Sequence, residues 1–255
     1  MTETEPTLFR LRVRYQKAGR LIYLGHLEVA RTVERSIRRA GLPFAVTQGF
    51  SPHMRIAFSA ALPVGTGSND EWYDVILTSY VPAPEALARL TASTPHDLAP
   101  LAAGYRDMHD ETLGLLITRQ DYLIRLAGCD PVALTGALDA LVAQGEIPYR
   151  RGKKHKALDL AATLAAYQVD ADGDGCALTL YTRSSNAGSL RPEILLAAVD
   201  GHLAGAPDTP VTSGALDTRV LAVRSVTRIA QYGVTEEGAR VDPLAQDGAQ
   251  GHPFF

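Results

Sequence analysis

The residues best able to do chemistry are concentrated between positions 19 and 68, where arginines, histidines and unusual glycine and proline turns occur together. His26 follows Gly25 at the start of a helical pattern, where free backbone N–H groups favour an anion. His53 ends the stretch Gln48-Gly49-Phe50-Ser51-Pro52-His53, and Arg55 follows it. An imidazole titrates near neutrality and so suits general acid or base work. His26 and His53 are therefore the candidate acid–base pair, with Ser51 and Arg55 beside them in one concave site and Arg35 nearby. The plainer reading makes His26 part of a helix start and residues 49–53 a rigid connection.

The cations form two further sets. Arg10, Arg12 and Arg14 alternate with Phe9, Leu11, Val13 and Tyr15, so a strand there places the arginines on one face. If that face is open, they make a ladder with steps of about 7 Å, comparable to the phosphates of an extended nucleic acid strand. The alternative is a solubilising face matched to acids on a neighbouring strand. The second set is Tyr149-Arg150-Arg151-Gly152-Lys153-Lys154-His155-Lys156. By topology this segment sits in the second half where Gly49 to Arg55 sits in the first, and two basic loops at equivalent positions suit one extended polyanion. Arg31, Arg35, Arg38 and Arg39 share a helix with Glu28 and Glu34, which can pair with them at helical spacing. Arg31 and Arg35 remain candidate RNA contacts.

Two segments imitate known sites. Gly65-Thr66-Gly67-Ser68 resembles a phosphate turn but lacks a Walker lysine and precedes a strand, which favours a tight connection. Asp170, Asp172 and Asp174 imitate a calcium loop. Tyr181 stands where the bidentate glutamate belongs, so they read as an acidic hairpin turn. No metal and no cofactor is expected.

These residues need a frame to hold them. After the strand at 7–15 comes a helix at 26–40, with Leu27, Ala30, Val33, Ile37 and Ala40 as its buried stripe and Gly41 as a left-handed C-cap. Strands at 55–60 and 72–78, a helix opened by Pro82 and Pro84, and a strand at 98–106 complete a β-α-β-β-α-β order. The order repeats with a strand at 121–126, a helix at 131–144, a strand at 147–160 that Gly152 can break, a strand at 176–182, a helix at 192–203 and a strand at 219–229. The expected fold is α+β, with tandem ferredoxin-like halves at 1–110 and 120–232 and a loose tail at 233–255. Each half buries one sheet face beneath its helices, and the arginine face of the first strand lies opposite.

Composition bounds the function. The chain has 255 residues, 46% hydrophobic and 21% charged, which describes a globular protein. Its net charge is −3, yet the cations gather in the first 60 residues, and local field is what draws a polyanion. No apolar run is long enough to span a membrane, and residues 1–6 are acidic and polar, so a cytoplasmic location is expected. Cys129 and Cys176 stand far apart in sequence, which argues against a disulfide framework or a thiolate metal site.

The pattern Lys17-x-Gly19, Gly25-His26-Leu27-Glu28, Arg31, Glu34-Arg35, Arg38-Arg39-Ala40-Gly41-Leu42-Pro43, Gly49-Phe50-Ser51-Pro52-His53 and Leu62-Pro63-Val64-Gly65-x-x-Ser68-x-x-Glu71 resembles the bacterial radical-SAM-linked proteins, a family of unknown function. Gly25 and Glu28 stand where Ser and Asp are usual, and Met54 where a second Pro is common. The resemblance implies a radical SAM protein as partner. With two cysteines this chain cannot hold the three-cysteine cluster itself. The leading expectation is an RNA-binding accessory module for tRNA or rRNA without catalysis of its own. The alternatives are a subunit that presents substrate to a radical SAM enzyme, and a histidine-dependent RNA-processing enzyme.

Overall fold

The structure is a computed structural model and describes residues 7–185, 188–214, 216 and 218–245. The chain divides into two compact units, Met1–Ile117 with Gln231–Phe255, and Thr118–Ala230. The first therefore takes back the end of the chain, which the division into halves and a tail did not foresee.

In the first unit the order is β1 (Phe9–Lys17), α1 (His26–Arg39), β2 (Ile56–Phe58), β3 (Gly67–Leu77), α2 (Ala83–Ser93), β4 (Pro100–Arg106) and the short helix α3 (Leu113–Leu116). The strands lie in the order β4-β1-β3-β2, all antiparallel, which is the ferredoxin-like arrangement. Leu11, Val13 and Tyr15 of β1 and Val75 and Leu77 of β3 pack against Val29, Val33 and Ile37 of α1 and Ala86 and Leu90 of α2. The α1 stripe is offset from the sequence expectation: Val29 is buried, whereas Leu27 is 70% exposed. The helix ends at Arg39, and Gly41 takes the left-handed φ of 63° required of the cap.

The second unit repeats the plan with an insertion. It runs β5 (Arg119–Ala127), α4 (Pro131–Gln144), β6 (Glu146–Arg151), β7 (Lys154–Asp159), α5 (Leu160–Thr163), β8 (Leu164–Asp172), β9 (Gly175–Ser185), β10 (Gly188–Ser189), α6 (Pro192–Leu203), β11 (Val211–Thr212) and β12 (Ala222–Val234), of which residues 222–230 belong here. The order β12-β5-β9-β8 is again ferredoxin-like, with β8 as its second strand. The segment expected in that place, 147–160, is instead the β6–β7 hairpin of a separate three-stranded sheet, β11-β6-β7. Asp172 and Asp174, beside the β8–β9 turn, pair with Arg125 and Arg224. The two cysteines meet, Cys176 Sγ donating to the Cys129 carbonyl at 3.1 Å. Burial first, and the Cys176 thiol second, push the Cys129 thiol up to about 12, so it stays protonated at neutral pH.

Back in the first unit, residues 231–234 of β12 are joined by β13 (Arg240–Val241), which pairs with Gly233 and Val234. The reading of 233–255 as loose is thus corrected for residues 233–245, while 246–255 lie outside the described residues. This return covers the sheet face opposite the helices. There Arg12 is 0% exposed and makes a bidentate pair with Asp74, Nε to Oδ1 at 2.7 Å and Nη2 to Oδ2 at 2.8 Å. Its Nη1 donates to the Pro243 carbonyl at 2.9 Å, and Nη2 also reaches the Glu111 carbonyl at 3.3 Å. Arg10, also buried, donates to the Asp110 and Met108 carbonyls. Trp72 packs with Leu113, Ile117 and Leu244 on the same side.

Removing one partner of a buried ion pair leaves an uncompensated charge and costs about 3–5 kcal/mol. Asp74→Ala should therefore lower unfolding free energy by about that amount in a urea titration. A loss below about 1 kcal/mol would show that water reaches Arg12.

Candidate functional site

The first-unit motif divides between a small cleft and an exposed hairpin tip. At the cleft, the Glu28 carboxylate accepts from the Gly25 N–H at 2.7 Å and holds the first turn of α1. Glu28 therefore caps the helix, and along α1 it is Glu34 that pairs, with Arg38 at 3.4 Å. His26, exposed, sets its ring edge-on to Phe58 with centroids 5.5 Å apart, and Phe58 contacts Tyr73. Lys17 is buried and donates from Nζ to the Leu24 carbonyl at 2.9 Å, fixing the chain as it enters α1. Gly19 has φ of 51°, and a Cβ there would lie 2.1 Å from the Asp97 carboxylate. The Lys-x-Gly element thus serves local geometry.

Lys17, His26, Phe58 and Glu71 line a cleft of about 10 Å³, room for roughly one water. His53 does not line it. The chain from Ala45 to Arg55 folds back on itself, with Arg55 N–H donating to the Ala45 carbonyl, Val46 bridged to Met54, and Thr47 N–H donating to the His53 carbonyl. Residues 48–53 form the exposed tip. Phe50 is fully exposed at 112%, and Ser51 Oγ lies 3.3 Å from His53 Nε2. The single concave site expected around His26, Ser51, His53 and Arg55 is corrected to these two places. Among the described residues, the cleft that His26 lines has no room for a substrate and does not include His53. Arg31 and Arg35 are exposed on α1, and Arg55 is half-buried.

The arginine ladder is likewise corrected. Arg10, Arg12 and Arg14 do share the face opposite the helices, but residues 107–117 and 242–245 cover it, and Arg10 and Arg12 spend their donors on protein carbonyls and Asp74. The alternative of acids on the next strand holds for Arg12.

The β6–β7 hairpin is the opposite case. Arg150, Arg151, Lys153, Lys154, His155 and Lys156 are all exposed, and among the described residues none of them takes part in an ion pair. The register sets Arg151 opposite Lys154, Arg150 opposite His155, and Tyr149 opposite Lys156. Arg151 and Lys154, like charges directly across the strand pair, repel and weaken the hairpin at that position. The hairpin is held from its base, where Ile147 and Leu158 are buried, and from β11, which pairs with Tyr149 and Arg150.

Sequence reasoning missed Asp70. Its Oδ2 accepts from the Gln231 N–H at 2.6 Å, while Gln231 Nε2 donates to the Asp70 carbonyl at 2.5 Å, tying β3 to the returning strand. Burial pushes the Asp70 carboxyl up to about 6, against the opposing pull of the Gln231 N–H and Arg14. The residue looks ordinary in sequence because the partner that buries it lies 161 positions away.

Residues 10–192 match a family described as "Uncharacterized protein conserved in bacteria (DUF2344)". No curated protein matches. Among solved structures, an unknown protein from Galdieria sulphuraria is similar at 9% identity over 69% of this chain and 81% of that one, with a TM-score of 0.24. A putative glycine cleavage system transcriptional repressor is similar at 13% identity over 79% and 93%, with a TM-score of 0.23. Among the described residues no helix is long and apolar enough to cross a membrane.

Because the folded Asp70 carboxyl holds its proton to higher pH than the unfolded one, at about 6 against 3.8, the native state binds more protons between those values. Stability should fall as pH rises from about 4 to about 6, by an amount on the order of 3 kcal/mol. Asp70→Asn should remove that component of the pH profile in thermal denaturation. An unchanged profile would show that another group is responsible.

Proposed function

We propose that the chain, which belongs to this bacterial family of uncharacterized proteins, is an RNA-binding accessory module whose contact surface is the β6–β7 hairpin. The observation that carries the reading is the hairpin itself: Arg150, Arg151, Lys153, Lys154 and Lys156 are exposed together on it, and its register sets Arg151 directly opposite Lys154 with no acid between them. An arrangement that costs folding energy is offset when a polyanion occupies it. Lysines also guard an edge strand against pairing, which accounts for Lys154 and Lys156 on β7. It does not account for Arg150 and Arg151 on β6, the central strand. The resemblance to the radical-SAM-linked proteins extends the reading: the module works in the cytoplasm beside a radical SAM enzyme and holds tRNA or rRNA for it.

Phe50 favours a second role in the same module. A fully exposed aromatic ring at a hairpin tip suits protein docking, and the resemblance makes a radical SAM protein the partner. In this reading the first unit docks and the second holds RNA.

Replacing Arg150, Arg151, Lys153 and Lys154 with Ala should weaken RNA binding and flatten its salt dependence by about one unit of slope for each phosphate left without its cation. Wild-type protein without RNA affinity at low salt would end the proposal. For docking, co-purification with the radical SAM protein should survive nuclease and be abolished in Phe50→Ser; association that nuclease abolishes, or that Phe50→Ser leaves intact, would contradict it.

A further inference from the structure

Beside the basic hairpin the second unit has a cleft of about 450 Å³, within the roughly 300–1,000 Å³ of small-molecule sites. Its floor is apolar, made by Leu141 of α4, Ala198 of α6, Ile147 of β6 and Val211 of β11. One wall is Tyr149, which shares the buried hairpin face with Ile147 and is itself half-exposed. Lys156, directly opposite Tyr149, lines the cleft together with Arg150 and His155. The far wall is the segment 207–210, which its prolines stiffen and which the Thr209 N–H and hydroxyl pin to the Ala206 carbonyl at 3.1 and 2.8 Å. Asp208 and Gln144 bring hydrogen-bonding groups of both kinds to the rim.

An apolar floor with an aromatic wall accepts a flat, weakly polar body. Cations at one side accept an anion, and amide and carboxylate groups read polar edges. A planar base joined to a phosphate combines these requirements, and the continuity of the cleft with the cationic hairpin supplies a path for the chain that carries it. We infer that the cleft holds a single unstacked nucleotide of RNA, with the base against Tyr149 and the phosphate at Lys156 and Arg150. The inference rests on the RNA-binding reading and specifies what it recognises: a flipped or single-stranded position, since a base stacked within a helix cannot enter a pocket.

The test is calorimetric titration of the full chain with uridine 5′-monophosphate, adenosine 5′-monophosphate and inorganic phosphate, in parallel with single-stranded and duplex RNA of equal length. Both nucleotides should bind at least about tenfold tighter than phosphate, and single strand tighter than duplex. Gln144→Trp fills the cleft from an exposed position at the end of α4 without changing charge, and should weaken nucleotide binding about tenfold or more. Tyr149→Ala should do the same and guards against a folding defect in the first variant. Nucleotides that bind no tighter than phosphate, or that bind both variants like wild type, would overturn the inference. RNA binding retained in that case would leave the hairpin reading standing, whereas nucleotide binding that Gln144→Trp abolishes, without RNA affinity, would overturn the hairpin reading and the assignment of the cleft to RNA together, leaving a site for free nucleotides.

Discussion

The buried pair of Arg12 and Asp74 decides what the first unit can do. A guanidinium out of water must have nearly all its donors satisfied, or the desolvation cost exceeds what pairing returns. Asp74 supplies two acceptors, and the remaining ones are carbonyls from residues 111 and 243, brought from distant parts of the chain. The covering segments are therefore part of the ferredoxin-like unit. The same face that would have been open for RNA in a simple four-stranded unit is here a second core, with Trp72, Leu113, Ile117 and Leu244 beside the ion pair.

That closure moves the candidate function to the second unit. Its frame is the same, but between the first helix and second strand of the motif it inserts the hairpin, and β11 after α6 completes the small sheet. The basic residues thus stand on an addition to the fold, held at the base by Ile147 and Leu158, where substitution costs the core little. Sites grafted onto a scaffold commonly take this form. In the first unit the corresponding connection between α1 and β2 carries the Phe50 tip.

Much of the frame was legible. The spans of α4 and α6 follow from a proline in the first turn and apolar residues at helical spacing, and both match the helices observed. The partition of β1 into Leu11 and Val13 against Arg10 and Arg12 also follows from alternation. Alternation, however, states which residues share a face and is silent on whether that face is covered. The cover comes from residues about 100 and 231 positions away, beyond any local pattern. Residues 147–160 read as one strand interrupted at Gly152; its φ of 59° makes it a turn between two strands, and β8 takes the place in the sheet. For α1, Leu27 and Val29 are both apolar, and only packing distinguishes the buried one. The candidate histidines were legible as residues, but nothing local places His26 against Phe58 and His53 on a tip.

On the proposed reading, RNA meets the cationic hairpin of the second unit, while Arg10 and Arg12 of β1 stay inside the first. Ultraviolet crosslinking of the protein to RNA, followed by mapping of the crosslinked peptides, tests it directly. Crosslinks should fall on residues 146–159 and on the 207–210 wall of the adjoining cleft, with none on β1. Crosslinks concentrated on β1 or the Phe50 tip, with the hairpin unmodified, would contradict the account.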